Sequence, residues 1–291
     1  MKPIFVLMFL INIPLFSQSF KIVGIPELFA PDIVCIEKSE VKITFSKDGK
    51  LVLWGTVGRE NGMGGLDIWE AIHTDSGWSN PQPVSFNSPD DDFDPGFSAD
   101  GKIIYFFSNR NGGEGGTDIY YIKYDSNNQS FGEPVNMGNK INTGGDEWGP
   151  TESVDGKKFL FCTDGLGGQG KHDIFMCEKV EDGWSQPKGI NAINSPEDDF
   201  DPIFLSDSKT ILFTKKYNED EAYLFISYLS KDGYTKPEKL GMNINISNTW
   251  NFGSSLDPID HSYFYYSTHK EENSKGKLDI YKVKYILTET N

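Results

Sequence analysis

The sequence predicts an all-β fold, a five-bladed β-propeller made of four-stranded blades. Two observations carry this prediction: the chain repeats itself about every fifty residues, and it shows no helical periodicity of useful length. Four short strands in about fifty residues is the spacing of one propeller blade. The repeat is marked most regularly by five turn aspartates spaced 50 to 55 residues apart, Asp48, Asp100, Asp155, Asp207 and Asp257.

The first two strands of each unit are predicted to form a hairpin. The first strand carries an aromatic residue followed by Asp or Gly and then Pro, as in Phe93-Asp94-Pro95, and it ends at a turn such as Asp100-Gly101. Asp-Gly between two strand-forming segments is a strong hairpin signal. The second strand is apolar and aromatic, as in residues 103–108 and 158–162.

The third strand of each unit follows a glycine-rich loop, such as residues 109–116 or 164–170. These loops lack the Lys-Ser/Thr pair and the helix of a nucleotide-binding loop, so they are interpreted as tight connections. The fourth strand follows Gly-Trp-Ser-x-Pro, as in residues 82–85, and proline suits a strand at a sheet edge. The third strand begins at Asp-Ile-aromatic in four units, at Asp67, Asp118, Asp173 and Asp279.

The two chain ends are predicted to meet in the last blade. The fifth unit ends near Tyr285 with no room for a full fourth strand. Residues 22–29 resemble the fourth strands of the other units, such as Pro237-Glu238-Lys239-Leu240. We therefore expect an N-terminal strand to close the ring, which hides the sheet edges and makes residues 18–291 a single domain.

Residues 1–17 have the pattern of a secretory signal peptide. Lys2 precedes an apolar run over residues 4–13, Pro14 interrupts it, and Ser17 offers a small residue before the expected cleavage site. The apolar run is shorter than the ~20 residues that a transmembrane helix needs. The mature chain is therefore expected to be periplasmic or secreted, without a transmembrane span.

The composition excludes several classes of function. A formal charge of −16, from 43 acidic and 27 basic residues, disfavours binding to nucleic acid or to anionic lipid. The chain has two arginines, Arg59 and Arg110, and so cannot supply the three that a sialidase site requires. The three cysteines Cys35, Cys162 and Cys177 are an odd number, and we expect buried free thiols rather than a disulfide framework.

Acidic clusters recur in three successive units, where the first strand begins. If that strand lines the central channel, the clusters converge near one mouth, where they could bind Ca²⁺ or a cationic partner. The alternative is that they cap turns and accept hydrogen bonds from loop N–H groups. No stretch fits an EF-hand loop, and the scattered His73, His172, His261 and His269 show no spacing typical of metal ligands. The candidate acids are Asp91, Asp92, Asp94, Asp146, Glu147, Asp198, Asp199 and Asp201.

Four aromatic residues beside these acids are assigned to equivalent positions in successive units. Next to carboxylates, aromatic faces could hold sugar rings. In a repeat they more commonly pack one blade against the next. They are Phe93, Trp148, Phe200 and Trp250.

Together these motifs resemble the WD40-like (PD40), TolB-type propeller repeat of bacterial envelope proteins. The likeness lies in aromatic-(Asp/Gly)-Pro, then Ser-x-Asp-Gly-Lys, then Gly-Gly and Asp-Ile-Tyr, and it covers about residues 22–288. The resemblance implies an extracytoplasmic, non-catalytic scaffold that binds protein or glycan partners. We expect an envelope or secreted protein as its partner and no cofactor, apart from the Ca²⁺ that the acidic clusters could bind.

The competing hypothesis is a carbohydrate-binding or glycoside-hydrolase-like propeller. Hydrolysis needs two carboxyl groups about 5–10 Å apart, and Asp94, Glu147 and Asp201 are candidates. Against it, the acids recur with the repeat rather than standing out in one unit. We therefore expect the scaffold function and no enzyme activity.

Overall fold

The computed structural model describes residues 17–290, with side chains described for residues 18–288. The predicted signal peptide, apart from Ser17, lies outside these residues. Within them the structure is all-β, and its strands form five antiparallel sheets arranged as the blades of a propeller. The predicted five-bladed fold is therefore confirmed.

Each blade has its inner strand at the channel and its outer strand at the periphery. In the first three blades the outer strand is split into two short pieces, and both pair with the third strand. Beside the fourth blade, residues 229–230 and 233–234 form a separate two-stranded sheet. The chain begins with β1 (Ser17–Leu28). The first blade contains β2 (Ser39–Phe45), β3 (Leu51–Val57), β4 (Leu66–Thr74), β5 (Gly77–Trp78) and β6 (Gln82–Pro83). The second contains β7 (Asp92–Phe97), β8 (Ile103–Ser108), β9 (Asp118–Asp125), β10 (Ser130–Phe131) and β11 (Val135–Asn136).

The third blade contains β12 (Glu147–Glu152), β13 (Lys158–Thr163), β14 (Asp173–Val180), β15 (Gly183–Trp184) and β16 (Lys188–Gly189). The fourth contains β17 (Asp199–Phe204), β18 (Ile211–Lys216), β19 (Ala222–Ser227) and β22 (Glu238–Lys239), with β20 (Leu229–Ser230) and β21 (Gly233–Tyr234) beside it. The fifth contains β23 (Phe252–Leu256), β24 (Tyr263–Thr268) and β25 (Asp279–Thr290).

Local hydrogen bonds explain why the hairpins form where the Asp-Gly signals stand. Ser98 Oγ donates to Asp100 Oδ1 at 2.8 Å, and the Lys102 N–H donates to the same oxygen at 3.0 Å. The first and third blades repeat this arrangement. A carboxylate that accepts hydrogen bonds from N–H groups of its own turn stabilises that turn through local contacts. The Asp-Gly turns can therefore be predicted from the sequence.

The aspartates that open the third strands cap the glycine-rich loops. The Gly64 N–H donates to Asp67 Oδ1 at 3.1 Å, and the Gly276 N–H donates to Asp279 Oδ2 at 3.1 Å. In the fourth blade Tyr223 stands at this position, so its loop has no equivalent aspartate cap.

The N-terminal strand closes the ring, as predicted. β1 pairs antiparallel with β25 over most of its length, with Ile22 opposite Tyr285. The Phe20 ring stacks on Tyr285 with centroids 5.4 Å apart. The last blade thus consists of the strand order β1-β25-β24-β23, built from both ends of the described chain.

The apolar core is divided among the junctions between blades. Among the described residues, five large clusters each combine residues of two neighbouring blades. Cys35, Cys162 and Cys177 are buried and unpaired, as expected. No helix among the described residues is long and apolar enough to span a membrane.

Candidate functional site

The five inner strands share one irregularity that faces the channel. Each has a β-bulge at the same point, and the first bulge residue has a left-handed backbone in all five blades. A bulge re-aims a side chain and is common beside functional sites. The bulge residues and their φ angles are Lys42 (48°), Asp94 (54°), Gly149 (61°), Asp201 (48°) and Gly253 (62°).

Three of these residues carry ionisable side chains that are almost fully buried near the axis. Lys42, Asp94 and Asp201 are 2%, 5% and 3% exposed. We call them the axial triad. Gly149 and Gly253 leave room between them, because a Cβ at Gly149 would lie 3.1 Å from the Asp201 Cα and one at Gly253 would lie 3.1 Å from the Lys42 nitrogen.

The two acids of the axial triad lie close enough to affect each other's ionisation. Burial, and next the charge of Asp201, raise the pKa of Asp94 well above its ordinary value, while Lys42 and the Gly149 N–H oppose this shift. Asp201 Oδ2 accepts the Gly253 N–H at 2.9 Å. The Lys42 ammonium lacks a hydrogen-bond partner among the described residues. The triad therefore combines a carboxyl pair with a buried, unpaired amine.

A cavity of about 210 Å³ adjoins the triad on the side where the inner strands end. We call it the axial cavity. The Ser254 and Ser255 hydroxyls line it and, like the Lys42 amine, lack hydrogen-bond partners within the described part of the chain. Its other walls include Thr44, Phe97, Pro150, Glu152, Leu256 and His261.

The three acids at the start of the inner strands cap turns of their own blades. Asp92, Glu147 and Asp199 are fully buried, and each accepts the N–H of the residue four positions earlier. Asp92 also pairs with Arg110, and Asp199 Oδ1 lies 2.6 Å from the Lys215 amine. Burial raises the pKa of Glu147 and of Asp199. Hydrogen bonds partly offset this rise at both residues, and at Asp199 the charge of Lys215 offsets it further. These carboxylates are engaged within the protein rather than turned into the channel.

The acids one position earlier link each blade to the blade before it. Asp91 Oδ1 accepts the Leu66 N–H at 3.0 Å, and Asp146 Oδ1 accepts the Thr117 N–H at 2.7 Å. Asp198 Oδ1 accepts the His172 N–H at 3.2 Å. The candidate acids therefore divide into three structural groups, and the structure brings only Asp94 and Asp201 together at the axis.

The aromatic candidates lie mostly between blades. Phe93 and Phe200 are each 7% exposed, and a Cβ on Gly55 of the first blade would lie 2.5 Å from the Phe93 ring. Trp148 is partly buried and donates through Nε1 to Thr117 Oγ1 of the second blade at 2.7 Å. These contacts are those of packing between blades.

Trp250 does not occupy the position assigned to it. The bulge of the fifth blade follows Phe252, so Phe252 is the counterpart of Phe93, Trp148 and Phe200. Trp250 lies two residues earlier and donates through Nε1 to the Glu219 carbonyl at 3.0 Å. The equivalence was wrong because the fifth blade lacks the proline that marks the bulge in the three preceding blades.

A repeated asparagine was missed. In four blades its amide accepts from the N–H and donates to the carbonyl of one residue in the third strand, as Asn142 does with Ile119 at 2.8 and 2.9 Å. In the remaining blade Cys35 stands opposite Ile280 in this role. The sequence signal for it is an apolar residue followed by Asn, five or six residues before the position that Asp92, Glu147 and Asp199 occupy at the start of the inner strand. The four are Asn87, Asn142, Asn194 and Asn245.

Known proteins resemble this chain in fold. No protein-family model matches it, and no curated protein matches it in sequence. TolB from Acinetobacter baumannii aligns with 86% of this chain at 15% identity and a TM-score of 0.52. Alpha-L-arabinofuranosidase from Lactobacillus brevis aligns with 87% at 13% identity and the same TM-score.

The two similar structures differ in how much of them this chain covers. It spans 56% of the TolB chain and 92% of the arabinofuranosidase chain. The likeness to TolB confirms the TolB-type propeller as a fold. At these identities the likeness concerns the fold alone, and it is equally strong to a protein named for a glycosidase activity.

Proposed function

We propose that the protein is a non-catalytic scaffold that binds a protein partner at the axial cavity. The observation that carries this proposal is the burial and hydrogen bonding of the candidate acids. Asp94 and Asp201 are in contact and almost fully buried, and Glu147 accepts hydrogen bonds from Thr143 and Thr163. A glycosidase needs two accessible carboxyl groups about 5–10 Å apart, which none of these residues supplies.

The size and chemistry of the axial cavity support a protein segment as its occupant. Its volume of about 210 Å³ is below the roughly 300–1,000 Å³ typical of small-molecule pockets, and it suits one side chain or a short loop. Lys42 and the two serines offer donors that lack partners among the described residues. Because an unpaired buried donor is costly, a segment that supplies acceptor oxygens would gain binding free energy there.

Site-specific crosslinking in native envelopes tests this proposal. A photo-crosslinking amino acid replaces His261 at the cavity, and the control carries it at Val135 on an outer strand. We expect one protein to be crosslinked from position 261 and not from position 135. Equal capture from both positions, or capture from neither, would contradict a partner at the cavity.

A glycan panel tests the competing function. We expect no hydrolysis of arabinans or other envelope and plant polysaccharides by the wild-type protein. Hydrolysis that falls by orders of magnitude in Asp94→Asn or Asp201→Asn would instead identify an enzyme.

We place this scaffold outside the cytoplasm. The pattern of residues 1–17 supports export, and the binding partner is then an envelope or secreted protein. Cell fractionation with N-terminal sequencing is the measurement, and a mature protein beginning at Gln18 is the expected result. A protein recovered from the cytoplasm with its first residues intact would refute export.

A further inference from the structure

The His172 side chain is held from two sides while one of its nitrogens is left unpaired. His172 is 8% exposed, and its Nδ1 lies 2.9 Å from Asp198 Oδ1. The ring stacks on Trp148 with centroids 3.8 Å apart and planes 22° apart. Its Nε2 is buried and has no hydrogen-bond partner among the described residues. A histidine whose Nδ1–H donates to a carboxylate presents the Nε2 lone pair, which is the usual arrangement of a metal-binding imidazole.

Two carboxylates lie beside the His172 ring. One ligand atom each from His172, Asp146 and Asp164 lie within 4.8 Å of one another. Asp146 Oδ1 is fixed by the Thr117 N–H and hydroxyl, at 2.7 and 2.9 Å. Asp164 Oδ1 is fixed by the Asp146 N–H at 2.8 Å. Neither carboxylate uses its Oδ2 in a hydrogen bond within the described chain, so each keeps an oxygen for a ligand.

We propose that His172, Asp146 and Asp164 bind a divalent transition-metal ion of the Zn²⁺ type. The site lies at one end of the third blade, where β12 and β14 begin and β13 ends. One imidazole nitrogen and two carboxylate oxygens suit Zn²⁺, which takes three protein ligands and keeps a further position open. Ca²⁺ is disfavoured because it takes six to eight oxygen ligands. Asp198 acts behind the histidine and orients its ring.

Glycines make this arrangement compact. A Cβ on Gly116 would lie 2.4 Å from Asp146 Oδ1, and one on Gly145 would lie 2.1 Å from Asp164 Oδ1. The glycine-rich loop of the second blade therefore packs directly against a proposed ligand. This gives the loop a role in positioning the carboxylate.

The second blade provides an internal comparison with the same framework and different chemistry. There the Asp91 N–H donates to Asn109 Oδ1 at 2.7 Å, and Thr117 stands where the third blade has His172. The hydrogen bond that Asp164 accepts can thus be kept by an asparagine. Asp164→Asn is accordingly a variant that removes a metal ligand and preserves the fold.

Calorimetric titration of the purified protein, residues 18–291, with ZnCl₂ tests the proposal. We expect one Zn²⁺ per chain, reversed by EDTA and not displaced by millimolar Ca²⁺. Asp164→Asn and His172→Gln should each weaken binding by about tenfold or more. His73→Gln, which removes a histidine of the first blade, and Cys35→Ser should leave it unchanged.

X-ray absorption of the Zn²⁺ complex identifies the ligands directly. We expect only nitrogen and oxygen neighbours. Sulfur scattering would place the ion at a different buried group, Cys35, Glu40 and Asp279, whose ligand atoms also lie within 4.8 Å of one another, and would overturn the proposal. Absence of binding by the folded wild-type protein, or unchanged binding by Asp164→Asn, would overturn it as well.

Discussion

Asp94 shows how one backbone angle and one charge act together. Its φ of 54° is a conformation that asparagine and aspartate tolerate better than most residues, and the Gly149 N–H favours the charged form of its carboxyl group. The carboxyl must also share a buried space with Asp201. The position therefore selects for a short polar side chain that can carry a proton.

Asp94→Asn and Asp94→Ala should separate these requirements. Asparagine keeps the left-handed backbone and can donate to Asp201, so we expect a free energy of unfolding close to that of wild type at pH 6. Alanine tolerates the left-handed backbone less well and removes the polar group beside Asp201, so the variant should lose about 1–3 kcal/mol. Urea denaturation is the measurement, and equal stability of the two variants would contradict this account.

Glu40 makes the stability of the protein depend on pH. Burial, and next the charge of Asp279, raise the pKa of Glu40 from 4.5 to about 8. Between these two values the folded chain keeps a proton that the unfolded chain has lost. The contribution of Glu40 to stability is therefore present below pH 4.5 and is lost as the pH rises toward 8.

Glu40→Gln should flatten this dependence. Between pH 5 and 7.5 we expect the slope of unfolding free energy against pH to become less negative by up to about 1.4 kcal/mol per unit. The exposed Glu133→Gln is the matched control and should keep the wild-type slope. A slope unaffected by Glu40→Gln would argue that another group binds the proton.

Turns and strands differ in how far the sequence predicts them. The Asp-Gly hairpins were predicted because their stabilising hydrogen bonds lie within a few residues, and β8 has the predicted bounds, residues 103–108. The bounds of the outer strands were not predicted correctly, since only Gln82–Pro83 of the expected residues 82–85 form a strand. Short outer strands are set by pairing with the third strand, which local sequence does not encode.

The candidate site was less predictable for the same reason. The acidic clusters were visible, but which carboxylate faces the axis depends on bulges that only strand pairing defines. Lys42 carries no motif and is recognised only because its bulge aligns with that of Asp94. His172 and Asp198 are 26 residues apart along the chain, and their contact follows from the packing of neighbouring blades.

The variant Asn142→Ala tests the stabilising role of the repeated asparagine. Asn142→Ala would leave both backbone groups of Ile119 without this partner in a site that is 1% exposed. We expect a loss of about 1–3 kcal/mol in chemical denaturation. Asn128→Ala removes an exposed amide and should change stability by less than about 0.5 kcal/mol. Similar losses in both variants would refute the assigned role.

The whole molecule is held as a ring by one pair of terminal strands. This closure was predictable because the count of strands left the fifth blade incomplete. The length of the closing strand was not predicted, since β1 extends to Ser17 and the expected segment began at residue 22. Each apolar cluster joins two blades, so opening one junction exposes a large part of the core.

A covalent link across the closing strands should stabilise the ring. Ser19 and Thr288 are directly opposite in the register, and their hydroxyl oxygens are 2.6 Å apart. We expect the oxidised Ser19→Cys/Thr288→Cys protein to gain about 2–4 kcal/mol over its reduced form. Thermal melts with and without dithiothreitol measure the difference. No gain despite a bond proven by mass spectrometry would show that unfolding begins elsewhere.

The shared last blade also governs the order in which the protein can be made. During translation β1 is synthesised before all the other described strands, whereas its partner β25, at residues 279–290, follows all of them. Throughout that interval the nascent chain contains blades but no completed circle, and β1 has no neighbour to pair with. Long-range pairing of this kind forms slowly. The ring can therefore close only after β25, the last of the described strands, has been made.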